Sequence, residues 1–80
     1  MYFYVEPTRI SRAQCVVLHW DIRNADTIRL LRNDKPVLEN AIPLGTFQDC
    51  LDYSGIARYR LEVSNVHGFY NYLELEVIVN

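Results

Sequence analysis

The feature that most limits how this chain can fold is a pair of matched alternations in residues 58–80, separated by one short turn. Tyr59, Leu61 and Val63 alternate with Arg58, Arg60 and Glu62, and Leu73, Leu75, Val77 and Val79 alternate with Tyr72, Glu74, Glu76 and Ile78. A period of two marks strands with one buried face. Between them stands Asn65-Val66-His67-Gly68, and Gly68 supplies the left-handed residue that closes a three-residue loop with a bulge. Such a loop pairs Asn65 with Phe69, which sets Leu61 against Leu73 and Tyr59 against Leu75 on the inner face. Glu62 then faces Tyr72, Arg60 faces Glu74 and Arg58 faces Glu76 on the outer face. A four-residue loop would set every inner side chain against an outer one, so pattern and register agree only for the shorter loop. The two Arg–Glu pairs contribute about 0.2–1 kcal/mol each. They read as a solvated ladder that holds register, with a binding surface as the alternative.

The rest of the chain is short-strand sequence punctuated by turns. Residues 2–5 form an aromatic edge strand stopped by Pro7. Residues 13–22 form the next, with Val16, Leu18, Trp20 and Ile22 assigned to the core because theirs is the larger apolar face. Asn24-Ala25-Asp26 turns the chain, and residues 27–31 continue as a strand with Ile28 and Leu30 inward. A helix capped by Asp26 competes for that segment, but eight residues make a marginal helix. Asn33-Asp34 is a turn pair, and Pro36 holds Val37 and Leu38 at a sheet edge. Residues 46–51 form a strand with Phe47 inward and Cys50 outward, and Asp52-Tyr53-Ser54-Gly55 makes the corner into the long hairpin. About seven strands with turns every eight to twelve residues indicate an all-β, two-sheet antiparallel β-sandwich.

Eighty residues make one domain, 1–80, and a chain of that size buries only about 60% of its unfolded surface. Half the residues are apolar and Gly plus Pro total six, which argues for a packed globular chain rather than disorder. A net charge of −2 gives no electrostatic basis for nucleic-acid binding. No apolar run approaches the ~18 residues of a membrane-spanning helix, so no membrane insertion is expected. The opening MYFYVEPTRI lacks the basic and apolar regions of a signal peptide.

Catalysis finds little support. Cys15 and His19 lie roughly 13 Å apart along an extended strand, too far to share a metal, and His67 sits at the hairpin turn. Ser11, Ser54 and Ser64 occupy turns or strand ends with no histidine beside them, and no nucleophile elbow is present. Glu74 and Glu76 stand about 7 Å apart on one strand face, near a glycosidase spacing. The opposing Arg60 and Arg58 would keep both ionised and unfit as a general acid. No catalytic residue, cofactor or metal is expected.

The run QCVVLHWDIRNADTIRLL, a second Cys before a glycine-containing corner, RYRLEVSNVHG and the final ELEVIV together resemble the immunoglobulin-like repeats of bacterial secreted and cell-surface proteins. The resemblance covers residues 10–79. It implies that Tyr59 is a tyrosine corner, its hydroxyl bonding to backbone near residues 52–55. It departs from antibody-type domains at Leu61, which stands where their second Cys would be. The pair left by the resemblance is Cys15 with Cys50, on neighbouring strands, and their bridge would imply an extracellular or envelope location. Two free thiols in a cytoplasmic protein is the alternative.

On this basis the leading expectation is a structural, adhesive or spacer module of a longer chain, binding neighbouring domains or another protein. The second is a carbohydrate-binding module attached to an enzyme. Six Tyr and three Phe are many for this length, and Tyr70 and Tyr72 share the outer face of the hairpin with Arg58 and Arg60. Tyr2, Tyr4 and Tyr53 are further candidates for exposure. The third is a homodimer through the edge of the last strand, where Ile78 points outward.

Overall fold

The computed structural model describes residues 2–23 and 25–80, that is, all of the chain except Met1 and Asn24. The turn expected at Asn24-Ala25-Asp26 therefore has its first residue outside the described residues. Eight strands follow in order: β1 (Tyr2–Glu6), β2 (Arg9–Ile10), β3 (Gln14–Asp21), β4 (Thr27–Arg32), β5 (Lys35–Leu38), β6 (Leu44–Leu51), β7 (Gly55–Ser64) and β8 (Tyr70–Val79). They form two sheets, β1-β3-β6 and β2-β8-β7-β4-β5. The fold is all-β, as the alternation predicts, and residues 27–31 take the strand rather than the helix.

The strand count and direction need one correction. β2 is a two-residue strand that the sequence pattern does not reveal, and it runs parallel to β8, pairing Arg9 with Ile78 and Ile10 with Val79. Every other pairing is antiparallel. The chain thus leaves the first sheet after β1 and joins the second at β2. The uncovered edge expected along all of β8 ends where β2 begins.

The hairpin has the register that its loop dictates. Arg58 faces Glu76, Tyr59 faces Leu75, Arg60 faces Glu74, Leu61 faces Leu73 and Glu62 faces Tyr72. Asn65 donates its amide hydrogen to the Phe69 carbonyl at 3.0 Å, and Gly68 has a φ of 86°. A side chain with Cβ is disfavoured at that angle. The inner faces of both sheets meet in one core, where Val16, Leu18, Trp20, Ile28, Leu30, Tyr59, Leu61 and Val77 are buried. Trp20 donates its indole hydrogen to the Ile42 carbonyl at 2.8 Å. Gly45, directly opposite Trp20, leaves room for that ring: a Cβ there would lie 3.0 Å from it.

Two further links hold the sheets. A Cys15–Cys50 disulfide joins β3 to β6 across directly opposed residues. Ile22 donates to the Pro43 carbonyl, so by the alternation of an antiparallel ladder Cys15 and Cys50 form a non-hydrogen-bonded pair, where backbones approach most closely. Closing a loop of 35 residues stabilises the fold by about 4 kcal/mol in the chain-entropy model.

The second link crosses between the sheets. Asp49, on the inner face of β6 and only 9% exposed, accepts hydrogen bonds from Arg32 Nη1 at 2.7 and 2.6 Å and from the Tyr59 hydroxyl at 2.7 Å. The expected tyrosine corner is corrected here: the Tyr59 hydroxyl reaches a carboxylate on the facing sheet, not the backbone of residues 52–55. The reason is burial. A fully enclosed phenol needs a partner, and the charged carboxylate beside it is a stronger acceptor than a neutral carbonyl.

Asp49→Ala leaves Arg32 and Tyr59 without their acceptor. The expected loss is about 2–3 kcal/mol, below that of a fully buried pair because Arg32 is 30% exposed. Tyr59→Phe costs about 1 kcal/mol; urea unfolding midpoints check the order. Burial, then the Asp49 carboxylate, raises the Tyr59 phenol pKa above its ordinary value. The native state keeps a proton that the unfolded chain releases, so this contribution is intact below about pH 10 and falls above it. In an absorbance titration one phenol should ionise only together with unfolding, and that phase should vanish in Tyr59→Phe.

Candidate interaction surface

The outer face of the five-stranded sheet gathers the four side chains that the alternation places there. Arg58 donates from Nη2 to Glu76 Oε2 at 3.2 Å, and Arg60 from Nη2 to Glu74 Oε2 at 3.4 Å. The Arg60 guanidinium also lies over the Tyr72 ring, 4.8 Å from its centre. Tyr70 and Tyr72 are adjacent, with ring centres 6.4 Å apart, but their planes are inclined by 48°. They do not form a flat platform.

A third row was not legible from the hairpin alone. β4 pairs with β7 and sets Arg29 opposite Glu62. Arg29 donates from Nε at 3.0 Å and Nη2 at 2.6 Å to Glu62 Oε1, while the Tyr70 hydroxyl donates to Glu62 Oε2 at 2.7 Å. Glu62 therefore uses both oxygens. The Tyr70 hydrogen bond, followed by that from Arg29, holds its carboxyl below the usual carboxylate range. The same contact raises the Tyr70 phenol. A shallow cleft of about 220 Å³ lies over this network, lined by Thr27, Arg29, Glu62, Val63, Ser64 and Tyr70. The outward position of Arg29 follows from its parity against Ile28 and Leu30, but its partner depends on which strand lies beside β4.

At the end of the sheet the hairpin turn is braced rather than free. Asn65 Oδ1 accepts from the His67 and Phe69 amides at 2.9 and 3.1 Å, and Asp26 Oδ2 accepts from the Val66 amide at 2.8 Å. Despite that bracing, Val66 is 81% exposed, Phe69 49% and Tyr70 56%. On the first sheet, the same end of the molecule carries exposed Tyr2, Ile42 and Leu44, with Tyr2 and Leu44 flanking Asp21. Among the described residues, every exposed large apolar side chain except Ile56 and Ile78 lies in this half.

The outer face of the three-stranded sheet is different in kind. Tyr4 stacks on His19 with ring centres 4.6 Å apart, and Tyr2 tilts against Tyr4 at 5.5 Å. Of the expected exposed tyrosines, Tyr2 and Tyr4 are so, while Tyr53 is half-buried and accepts a hydrogen bond from Asn33. Cys15 and Cys50 are consumed by their disulfide, and among the described residues no three His, Cys, Asp or Glu side chains come together as metal ligands. Among the described residues, no helix is long and apolar enough to cross a membrane.

Comparisons of the chain with protein families, with curated proteins and with solved structures found no match.

The depressed Glu62 carboxyl gives a direct test of the network. The native state holds this group charged where the unfolded chain would protonate it, so its contribution is present above the ordinary carboxylate range and is lost as pH falls through the lower folded value. In Tyr70→Phe, the Glu62 titration midpoint followed by NMR should move up toward its ordinary value. An unchanged midpoint would mean that the hydroxyl contact does not form in solution.

Proposed function

We propose that the chain is a non-catalytic immunoglobulin-like module of an extracellular or envelope-associated protein, spacing its neighbours and docking a protein partner through the end that carries the hairpin turn. The observation that carries this reading is the concentration of exposed apolar side chains in that half of the molecule. Exposed apolar side chains gathered at one end of a molecule are a feature of contact sites. The elongated shape, 41 × 20 × 15 Å, suits a spacer.

Strand order supports the immunoglobulin-like assignment. β3 and β6 take the places of strands B and E, and β8-β7-β4-β5 those of G, F, C and C′. The disulfide is compatible with an extracellular location. The aromatic side chains favour protein over glycan as the partner. Tyr70 and Tyr72 are inclined to each other, Arg60 covers Tyr72, and the Tyr70 hydroxyl is committed to Glu62. A sugar ring stacks best on an open, flat face.

The test is photo-cross-linking in the native chain, with a benzophenone amino acid at Val66 in one sample and at Ile56, at the opposite end, in the other. Cross-links to protein from Val66 that are absent from Ile56 are expected. Equal labelling from both positions, or protection of the tyrosines by millimolar soluble glycans, would contradict it.

A further inference from the structure

β8 is bonded on one side along most of its length. Its other side meets β2 only at Ile78 and Val79. The direction of its peptide groups follows from two contacts. Asn65 donates to Phe69, so the odd-numbered residues of β8 form the hydrogen-bonded pairs with β7. Ile78 and Asn80 donate the other way, to the Thr8 and Ile10 carbonyls at 3.0 and 2.8 Å. The peptide groups of Tyr70, Tyr72, Glu74 and Glu76 therefore point out of the sheet toward a side where, among the described residues, no strand is hydrogen-bonded to them. Only the Tyr72 amide is turned back locally, to the Asn71 side chain at 2.8 Å.

Three observations say what fits there. First, Leu73 and Leu75 face inward but are only half-buried, whereas the residues opposite them, Leu61 and Tyr59, are fully enclosed. A neighbouring strand with apolar inner side chains would cover both leucines. Second, Glu74 and Glu76 each use Oε2 on an arginine of β7 and remain 39% and 54% exposed. Cationic outer side chains on an added strand would meet them as cross-strand partners. Third, the chain already places such a segment on this edge: in β2, Arg9 is exposed and Ile10 is 4% exposed against β8. A second copy's β8 would instead bring two further carboxylates to the same place.

We propose that the open edge of β8, residues 70–76, takes up an extended segment of a partner protein in which apolar and basic residues alternate. The segment adds as a sixth strand, its backbone bonding to the four outward peptide groups. This rests on the protein-binding reading and names the segment bound; cross-linking at Val66 reads any protein partner, whereas the amides of Glu74 and Glu76 read this edge, so the two failures are distinguishable.

The test uses a nine-residue peptide of alternating Val and Lys, titrated into the isotope-labelled protein. The amides of Tyr70, Glu74 and Glu76 should shift and saturate. The same peptide N-methylated on the nitrogens of one edge should leave them unmoved, and an alternating Val and Glu peptide should bind more weakly or not at all. The double variant Glu74→Gln, Glu76→Gln, which keeps the backbone and the fold, should weaken the Lys peptide roughly threefold to tenfold. Equal binding of the methylated or acidic peptide, or no shift at millimolar peptide, would overturn the proposal. So would shifts at these amides that grow with protein concentration alone, which would give the edge to a second copy.

Discussion

The three-residue loop between Asn65 and Phe69 fixes the pairing of the two longest strands, and with it the face on which every side chain of the second sheet lies. A slip of one residue would move the inner row of one strand, Tyr59 and Leu61 or Leu73 and Leu75, to solvent and drive its charged row, Arg58 and Arg60 or Glu74 and Glu76, into the core. β4 is then aligned on β7, Ile28 with Val63 and Leu30 with Leu61, so the inner row continues across three strands. The salt-bridged outer face is the necessary complement of that inner row. Its charges do little for stability one by one, but each wrong register would bury some of them.

A chain of 80 residues has little core to spare, and the links between and within its sheets matter accordingly. The Asp49 carboxylate receives three hydrogen bonds from two side chains of the facing sheet, so it ties the sheets while leaving its own charge satisfied. The disulfide acts at the other face of β6, on the residue next to Asp49 in sequence. One strand is thus held from both sides at adjacent positions. Among the described residues this strand has no neighbour beyond it in its own sheet, and these two links hold an edge that a further strand would otherwise hold.

The sequence was most legible where the constraint is local. Alternation and turn chemistry gave the hairpin, its register, the inward Trp20 face and the edge position of Pro36. It was least legible where partners are distant. Asp49 follows Gln48 in an ordinary-looking strand, and nothing local says that its inward parity is answered by Arg32 and Tyr59 from another sheet. Nor does Arg9-Ile10 announce itself, because two residues carry no period. The outer face was legible in part: Arg58, Arg60, Tyr70 and Tyr72 follow from parity, but Arg29 joins them only through the pairing of β4 with β7. The exposed end could not be seen at all, since it is assembled from β1, the loop before β6 and the hairpin turn.

The proposed docking edge lies on β8, which is paired with β7 along its whole length and open on most of its other side. Amide hydrogen exchange in the free protein measures that asymmetry directly. Slow exchange at Asn71, Leu73, Leu75 and Val77, with fast exchange at Tyr70, Glu74 and Glu76, is the expected pattern. Uniform protection along the strand would show that the edge is already covered and would contradict a sheet held open for a partner.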